Sequence, residues 1–309
     1  MVDISVLGGA MTDLAERDHV ESVAPPAPIQ SLPVRPAPVG PPLSLRSRGP
    51  AYAVIRECLA VQQKAAPLGT VARVLGRSPL DPAARTWYHG ALGEIEVARV
   101  LSQLGAGWTV LHAVPVGSGR ADIDHIVIGP AGIFTMSTRN HADRRVFVAG
   151  STFVVAGQKH DHLRAALHEA ERASQLLSGV TGRPVTVTPL IVVVNPASIT
   201  VGRKRPTVAV LASSRLRRWL LARPHVLSAR AVVHFSMFAE EPTTWHTQPF
   251  VNDDNGPHLQ AFEELRRQVD SAQTRSVIWL LGVVAAFILT IDLLLPGILD
   301  LLAGLVRLI

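Results

Sequence analysis

Apolar and polar positions alternate most cleanly between Gly119 and His141, GRADIDHIVIGPAGIFTMSTRNH. Two short strands joined by a tight turn account for the pattern. Asp122, Asp124, Ile126 and Ile128 fall on one side of the first strand, and Ile123, His125 and Val127 on the other. Gly129-Pro130-Ala131-Gly132 is turn chemistry, because proline fixes φ and glycine admits positive φ. The run Ile133 to Thr138 then supplies β-branched and apolar residues for a second strand. Carboxylates that open an otherwise apolar strand are costly unless something binds them. The hairpin is therefore where chemistry is to be sought.

Helical periodicity flanks it. Residues 91–104 place Leu92, Ile95, Val97, Val100, Leu101 and Leu104 mostly on one stripe, and Gly105 and Gly107 end the run. Residues 160–177 set Leu163, Leu167, Ala170, Ala173 and Leu177 inward. Strand patterns cover 108–114, 145–148 with 152–155, 185–194 and 207–211, and a basic helix covers 214–221. Strands alternating with helices predict an α/β fold, a mixed central sheet flanked by helices. Upstream, 51–66 and 71–75 read as short helices. The prolines concentrated in 20–50 deny that segment any apolar period, so a disordered Pro-rich arm is expected over 1–50. The organisation that follows is a helical lead-in at 51–86, the main domain at 87–239, a linker with an amphipathic helix at 240–275, and a membrane segment at 276–309.

That last segment opens with VIWLLGVVAAFILTIDLLL, residues 277–295, in which Asp292 is the only charge. About nineteen residues at ~1.5 Å each reach roughly 28 Å, near the thickness of a hydrocarbon core. Arg266, Arg267 and Arg275 precede the span and only Arg307 follows it, so the positive-inside bias sets the large amino-terminal part in the cytoplasm. A single-pass protein of the cytoplasmic membrane is expected, with 296–309 at the interface or in a shared bundle. Gly282, Ala285 and Ala286 offer a small-residue face for a homo-oligomer through the span. The amino terminus has neither the basic nor the long apolar region of a signal peptide.

Composition narrows the partners. The net charge is +6, and among thirty basic residues only Lys64, Lys159 and Lys204 are lysines. Such a balance favours polyanions, either nucleic acid or anionic lipid, although a general preference for arginine would produce the same composition. Arg203, Lys204 and Arg205, with Arg215, Arg217 and Arg218, form clusters suited to nucleic acid or to plain solvation. Cys58 stands alone, which rules out an intramolecular disulfide and a cysteine-based metal centre. No Gly-rich phosphate loop and no serine nucleophile elbow is present.

Three pieces in order, WYHGALGE at 87–94, WTVLH at 108–112 and DIDHIVIGP at 122–130, resemble the nuclease-related domain family, NERD. The resemblance covers roughly Trp87 to Leu211. It implies a restriction-endonuclease-like fold of the PD-(D/E)xK nuclease superfamily and an ancestral metal-dependent phosphodiesterase site. Glu94 matches the acid of the family's first helix, and Asp124 the metal-binding aspartate of its DIDH strand. The next strand carries an acid, a variable residue and a lysine in the family, and here Ser137, Thr138 and Arg139 stand there. A non-acidic first position is common in the branch this chain resembles, so Arg139 is the more individual departure.

Those replacements bear on chemistry unequally. Phosphodiester hydrolysis in such a fold needs a divalent cation to activate water and neutralise phosphoryl charge. Mg2+ takes hard oxygen ligands, which Glu94, Asp124 and the Thr138 carbonyl would supply, whereas the Ser137 hydroxyl is a poor substitute for a carboxylate. Arg139 cannot serve as a base near neutral pH, yet its planar fork suits a phosphate. Hydrolysis is therefore damaged more than binding. Other residues read more plainly. Asp122 is expected in solvent, His125 as a satisfied core histidine and His141 in a loop. His160 and His162, two apart on one helix, share no face and make a poor metal pair. Two functions follow: a membrane-anchored nucleic-acid-binding protein with residual Mg2+-dependent cleavage, or a catalytically inactive membrane-tethered scaffold.

Overall fold

The computed structural model describes residues 44–116, 122–246 and 256–306. The Pro-rich arm as far as 43 lies outside the described residues, and the last part of that arm departs from expectation. Leu45–Ser47 forms a single 3-10 turn, capped by the Ser44 hydroxyl. Leu45 is buried in the main core, Arg46 pairs with Glu240 at 2.8 Å, and Arg48 lies 4.3 Å from the Tyr52 ring centroid. One apolar anchor and two partnered arginines order a stretch that proline content alone consigns to disorder.

Two mixed sheets form where a single one is expected. The first has the order β1-β2-β3-β7-β9, built from β1 (Thr109–Pro115), β2 (Asp122–Gly129), β3 (Gly132–Asn140), β7 (Val187–Val194) and β9 (Ala209–Ala212). Its first three strands are antiparallel neighbours, while β3, β7 and β9 run parallel. The second has the order β6-β5-β4-β8, from β4 (Arg145–Ala149), β5 (Thr152–Val155), β6 (Gln158–His160) and β8 (Ser198–Val201). β8 and β6 are too short and too polar for an alternating pattern to reveal.

Helices cover both faces of the larger sheet, as its apolar strands demand. On one face α3 (Arg85–Leu101) and α5 (Ser213–Leu221) enclose Val127, Phe134, Met136, Leu190 and Val192. On the other, α4 (His162–Thr181) and α6 (Ala229–Glu240) pack on Ile126, Ile128, Ile133 and Val187. The helix α4 begins later than the periodicity predicts, because His160 belongs to a strand. Within the expected loop after 240, α7 (Pro242–Trp245) buries Trp245, whose indole Nε1 donates to the Ala239 carbonyl at 2.7 Å. The lead-in helices α1 (Tyr52–Gln62) and α2 (Thr70–Val74) precede this layer, and α1 packs on α3 around the buried Cys58.

The carboxy-terminal elements merge. Residues Gly256–Val306 are one helix, α8, with Pro296 inside it. Its first turns bury Phe262 and Leu265 against α1 and α3, and Ala272 is buried further along. Beyond Ala272 every described side chain to Gly297 is exposed. The separate segment expected after 296 is thus, as far as 306, a continuation of the same helix. Proline removes one N–H bond, and an apolar helix absorbs that loss. The helix Gly256–Gly297 is long and apolar enough to cross a membrane, with a mean hydropathy of 2.6 in its most apolar window.

Candidate acidic site at the sheet edge

The carboxy ends of the parallel strands β3 and β7 lie beside the start of β2, which runs the opposite way to β3. Ligands of open α/β sheets gather at such strand ends. Asp124 reaches across this edge, where its Oδ2 accepts the Thr138 backbone N–H at 2.6 Å. Gly93 lets α3 close on the same edge. A Cβ there would lie 3.2 Å from the Asn140 Cβ and 3.3 Å from the Thr138 Cγ2. The next residue, Glu94, is 6% exposed and accepts a hydrogen bond from the Ala51 backbone N–H. Burial, then the charges of Asp124 and Asp122, hold its carboxyl well above the usual range. Glu94 and Asp124 are therefore near enough for the charge of one to act on the other.

Two further carboxyls join them. Asp122 is not in solvent, since its side chain is 14% exposed and faces Arg48 Nη2 at 3.5 Å. The 3-10 turn, absent from the periodicity, covers it. Burial pushes Asp122 up to about 6 despite that arginine. Sequence reasoning missed Glu169 of α4 altogether. Burial, reinforced by Asp124 and opposed by Arg139, raises it to about 8, and its Oε1 has no hydrogen-bond partner among the described residues. The signal was available: Glu169 lies three residues after Ala166 and four before Ala173, both buried.

Arg139 is the positive centre of the pocket. Its Nη1 donates to its neighbour's carbonyl, that of Thr138, at 2.7 Å. Nη2 donates to the Ser137 Oγ at 3.0 Å, Nε to the His162 Nδ1 at 3.3 Å, and Nη1 stands 4.0 Å from Asp124 Oδ2. The Thr138 carbonyl, expected as a cation ligand, is thus already engaged by the arginine. Burial raises Asp124 as well, against the opposing pull of Arg139 and the Thr138 N–H.

The histidines depart from expectation in one respect. His160 ends β6 and His162 begins α4, so the strand-to-helix joint stacks their rings at 5.0 Å with 10° between planes, and His141 lies 5.9 Å from each. Their separation along one helix, the basis for keeping them apart, does not apply. No group of three or more ligating side chains placed to hold a metal occurs among the described residues. His125 is buried in the sheet, its Nδ1 2.9 Å from that of His112, and its Nε2 has no partner among the described residues.

The basic clusters lie on different layers. Arg203, Lys204 and Arg205 follow β8, and Lys204 lies along the β4–β5 turn at Gly150. Arg215, Arg217 and Arg218 are on α5, where Arg217 Nε donates to the Gln103 carbonyl at 3.0 Å. Arg215 and Arg218 border an open hollow of about 630 Å³ with Trp219 and Arg223.

Residues 89–194 match the family model of the nuclease-related domain. The chain carries a NERD domain. No curated protein and no solved structure matches it. The matched segment begins just before Glu94 and ends with β7, so it contains the hairpin, Asp124, Arg139 and Glu169. The lead-in helices and α8 lie outside the NERD segment.

Nuclease-related domains are often metal-dependent, but the described residues group no three ligating side chains that would hold such an ion. Glu94 is buried and Asp124 and Glu169 are partly buried, and their withdrawal from water is the main reason that protonation of each is favoured. A cation bound beside them would favour their ionised forms.

Proposed function

We propose that this is a membrane-anchored NERD-domain protein that binds nucleic acid at the acidic edge and hydrolyses it feebly. The observation that carries the reading is Arg139, locked by Thr138, Ser137 and His162 where the family keeps a lysine. Its guanidinium holds a phosphate through charge-assisted hydrogen bonds but retains its own protons, so it positions and does not activate water. When bound, Mg2+ supplies Lewis-acid activation of water and charge neutralisation at the phosphoryl group. Glu94 and Asp124 are the side chains that would face it, and with no third ligating side chain grouped with them among the described residues the ion would be weakly held. Ser137 would contribute only a hydroxyl, already bonded to the arginine. The arginines of the β8–β9 loop and of α5 would add contacts to the phosphate backbone. α8 would tether the domain to the cytoplasmic face, the side indicated by Arg266, Arg267 and Arg275.

The same arginine also favours a second reading. By occupying the Thr138 carbonyl and approaching Asp124 it acts as an internal cation, as a catalytically inactive tethered scaffold would require. A nuclease assay on the full-length protein in detergent, with Mg2+ titrated, separates the two. Slow cleavage abolished by Asp124→Ala, and accelerated when Ser137→Glu is combined with Arg139→Lys, supports the degenerate enzyme. Cleavage absent from wild type but gained by the double variant supports the scaffold. DNA binding should weaken steeply as salt rises, and no binding at low salt removes the nucleic-acid reading altogether.

A further inference from the structure

The surface of α2 shows apolar side chains where a soluble protein hides them. Val71, Val74 and Leu75 are 72%, 53% and 51% exposed, and no residue of α2 is buried. Five residues with two exposed valines, followed at once by an exposed leucine, cannot fold alone. What holds the helix is the start of the apolar part of α8. Arg275 Nε donates to the Arg73 carbonyl at 3.1 Å, and Trp279 Nε1 donates to the Val74 carbonyl at 2.9 Å. Gly76, at φ +78°, meets the α8 backbone so closely that a Cβ would lie 2.3 Å from the Ser276 nitrogen. The helix is thus fixed at one height on α8, level with the residues where burial in the domain has ceased and the apolar run begins.

That height decides the occupant. Tryptophan concentrates at membrane–water boundaries, where its ring is apolar and its N–H finds a partner; Trp279 stands at the first turn of the span with its N–H satisfied by α2. Arg73, Arg77 and Arg275 are exposed around the patch, on the side where headgroups would lie if 277–295 entered lipid. Valine and leucine beside arginine, at the root of a span, are complementary to an anionic bilayer surface. A protein partner would need its own apolar surface in the same narrow layer, against the membrane.

Taking 277–295 as membrane-spanning, we propose that α2 docks in the interfacial layer of an anionic bilayer, with Val71, Val74 and Leu75 submerged and Arg73 and Arg77 on headgroup phosphates. The domain is then held on the membrane by two points, which fixes its orientation as a single tether would not. The acidic edge would consequently face a set direction relative to the bilayer.

The test uses the full chain in vesicles of phosphatidylcholine alone or with phosphatidylglycerol. Cys58 is fully buried, with its thiol pushed up to about 11, so a Leu75→Cys variant takes an environment-sensitive fluorophore selectively. Glu171→Cys, exposed on α4, is the control. Expected are a blue shift and quenching by brominated lipid at position 75 and neither at 171. The shift at 75 should be larger in the anionic vesicles and should shrink to its phosphatidylcholine value in an Arg73→Glu, Arg77→Glu background. A water-like spectrum at 75 in protein that floats with the vesicles and resists alkaline extraction overturns the docking of α2 while leaving the span intact. Protein that fails to float overturns both. A shift indifferent to lipid charge and to the arginine variants overturns the headgroup contact.

Discussion

The acidic edge and the α2–α8 junction break the usual rule of placement in opposite directions. At the edge, four carboxyls are partly or wholly withdrawn from water; at the junction, two valines and a leucine are left in it. Each violation costs free energy, and each is held by its surroundings. Arg139 and Arg48 offset part of the buried charge from inside the fold, whereas the described residues contain nothing that covers Val71 or Val74. A defect answered internally points to an inherited site. One left unanswered points to a surrounding medium.

The sharpest way to break the contrast is to remove the internal answer. Arg139→Ala leaves Asp124 and Glu169 without their nearest cation and strips partners from Ser137 and His162. Loss of one member of a mostly buried pair costs about 3–5 kcal/mol, here toward the lower end because the arginine is 28% exposed. Denaturant unfolding should show that loss, and millimolar Mg2+ should restore part of it in the variant more than in wild type. A variant as stable as wild type would mean that Arg139 compensates nothing.

Next in size is the pH dependence carried by Glu169. Its carboxyl ionises near 8 in the fold, against about 4.5 in the unfolded chain. Because the folded state holds the proton more tightly, stability is greatest below about pH 4.5 and declines as pH rises toward 8. Glu169→Gln, which cannot ionise, should remove that decline. It should match wild type near pH 4.5 and exceed it clearly at pH 8. Urea unfolding at the two pH values measures this, and an equal gain at both would show that packing, not charge, is responsible.

How much of this was legible in the sequence follows from the range of the interactions involved. The hairpin, the α3 stripe and the apolar run of β7 are local patterns, and each appears within a few residues of its expected position. Glu94 and Asp124 could be paired only through the family resemblance, since thirty residues separate them. Glu169 and the stacking of His160 on His162 depend on where α4 begins, which β6 delays. Arg48 over Asp122 needed the 3-10 turn that Leu45 anchors, and a single leucine among prolines gives no period. The contact of α2 with α8 spans some two hundred residues and rests on backbone carbonyls, to which side-chain patterns are blind.

Gly76→Ala tests the other half of the comparison more gently. The position needs positive φ, and the new methyl would press on the Ser276 nitrogen. Strain of about 1–2 kcal/mol is expected, relieved by α2 moving off α8. Protection of the Arg73–Arg77 amides against hydrogen exchange should fall, while that of β3 and β7 stays unchanged. Uniform loss throughout the domain would instead make the junction part of the global fold.

The smallest effect is expected where the ion-pair geometry is best. Arg99 and Glu96 form two hydrogen bonds of 2.8 Å on the outer surface of α3, far shorter than the 4.0 Å between Arg139 and Asp124. The Arg99 side chain is 62% exposed, so water and salt screen the attraction and each group is solvated equally well apart. Arg99→Ala should therefore leave the unfolding midpoint unchanged, and added salt should make no difference. If it instead cost as much as Arg139→Ala, contact distance and not burial would govern charge in this protein, and the contrast between the two regions would lose its physical basis.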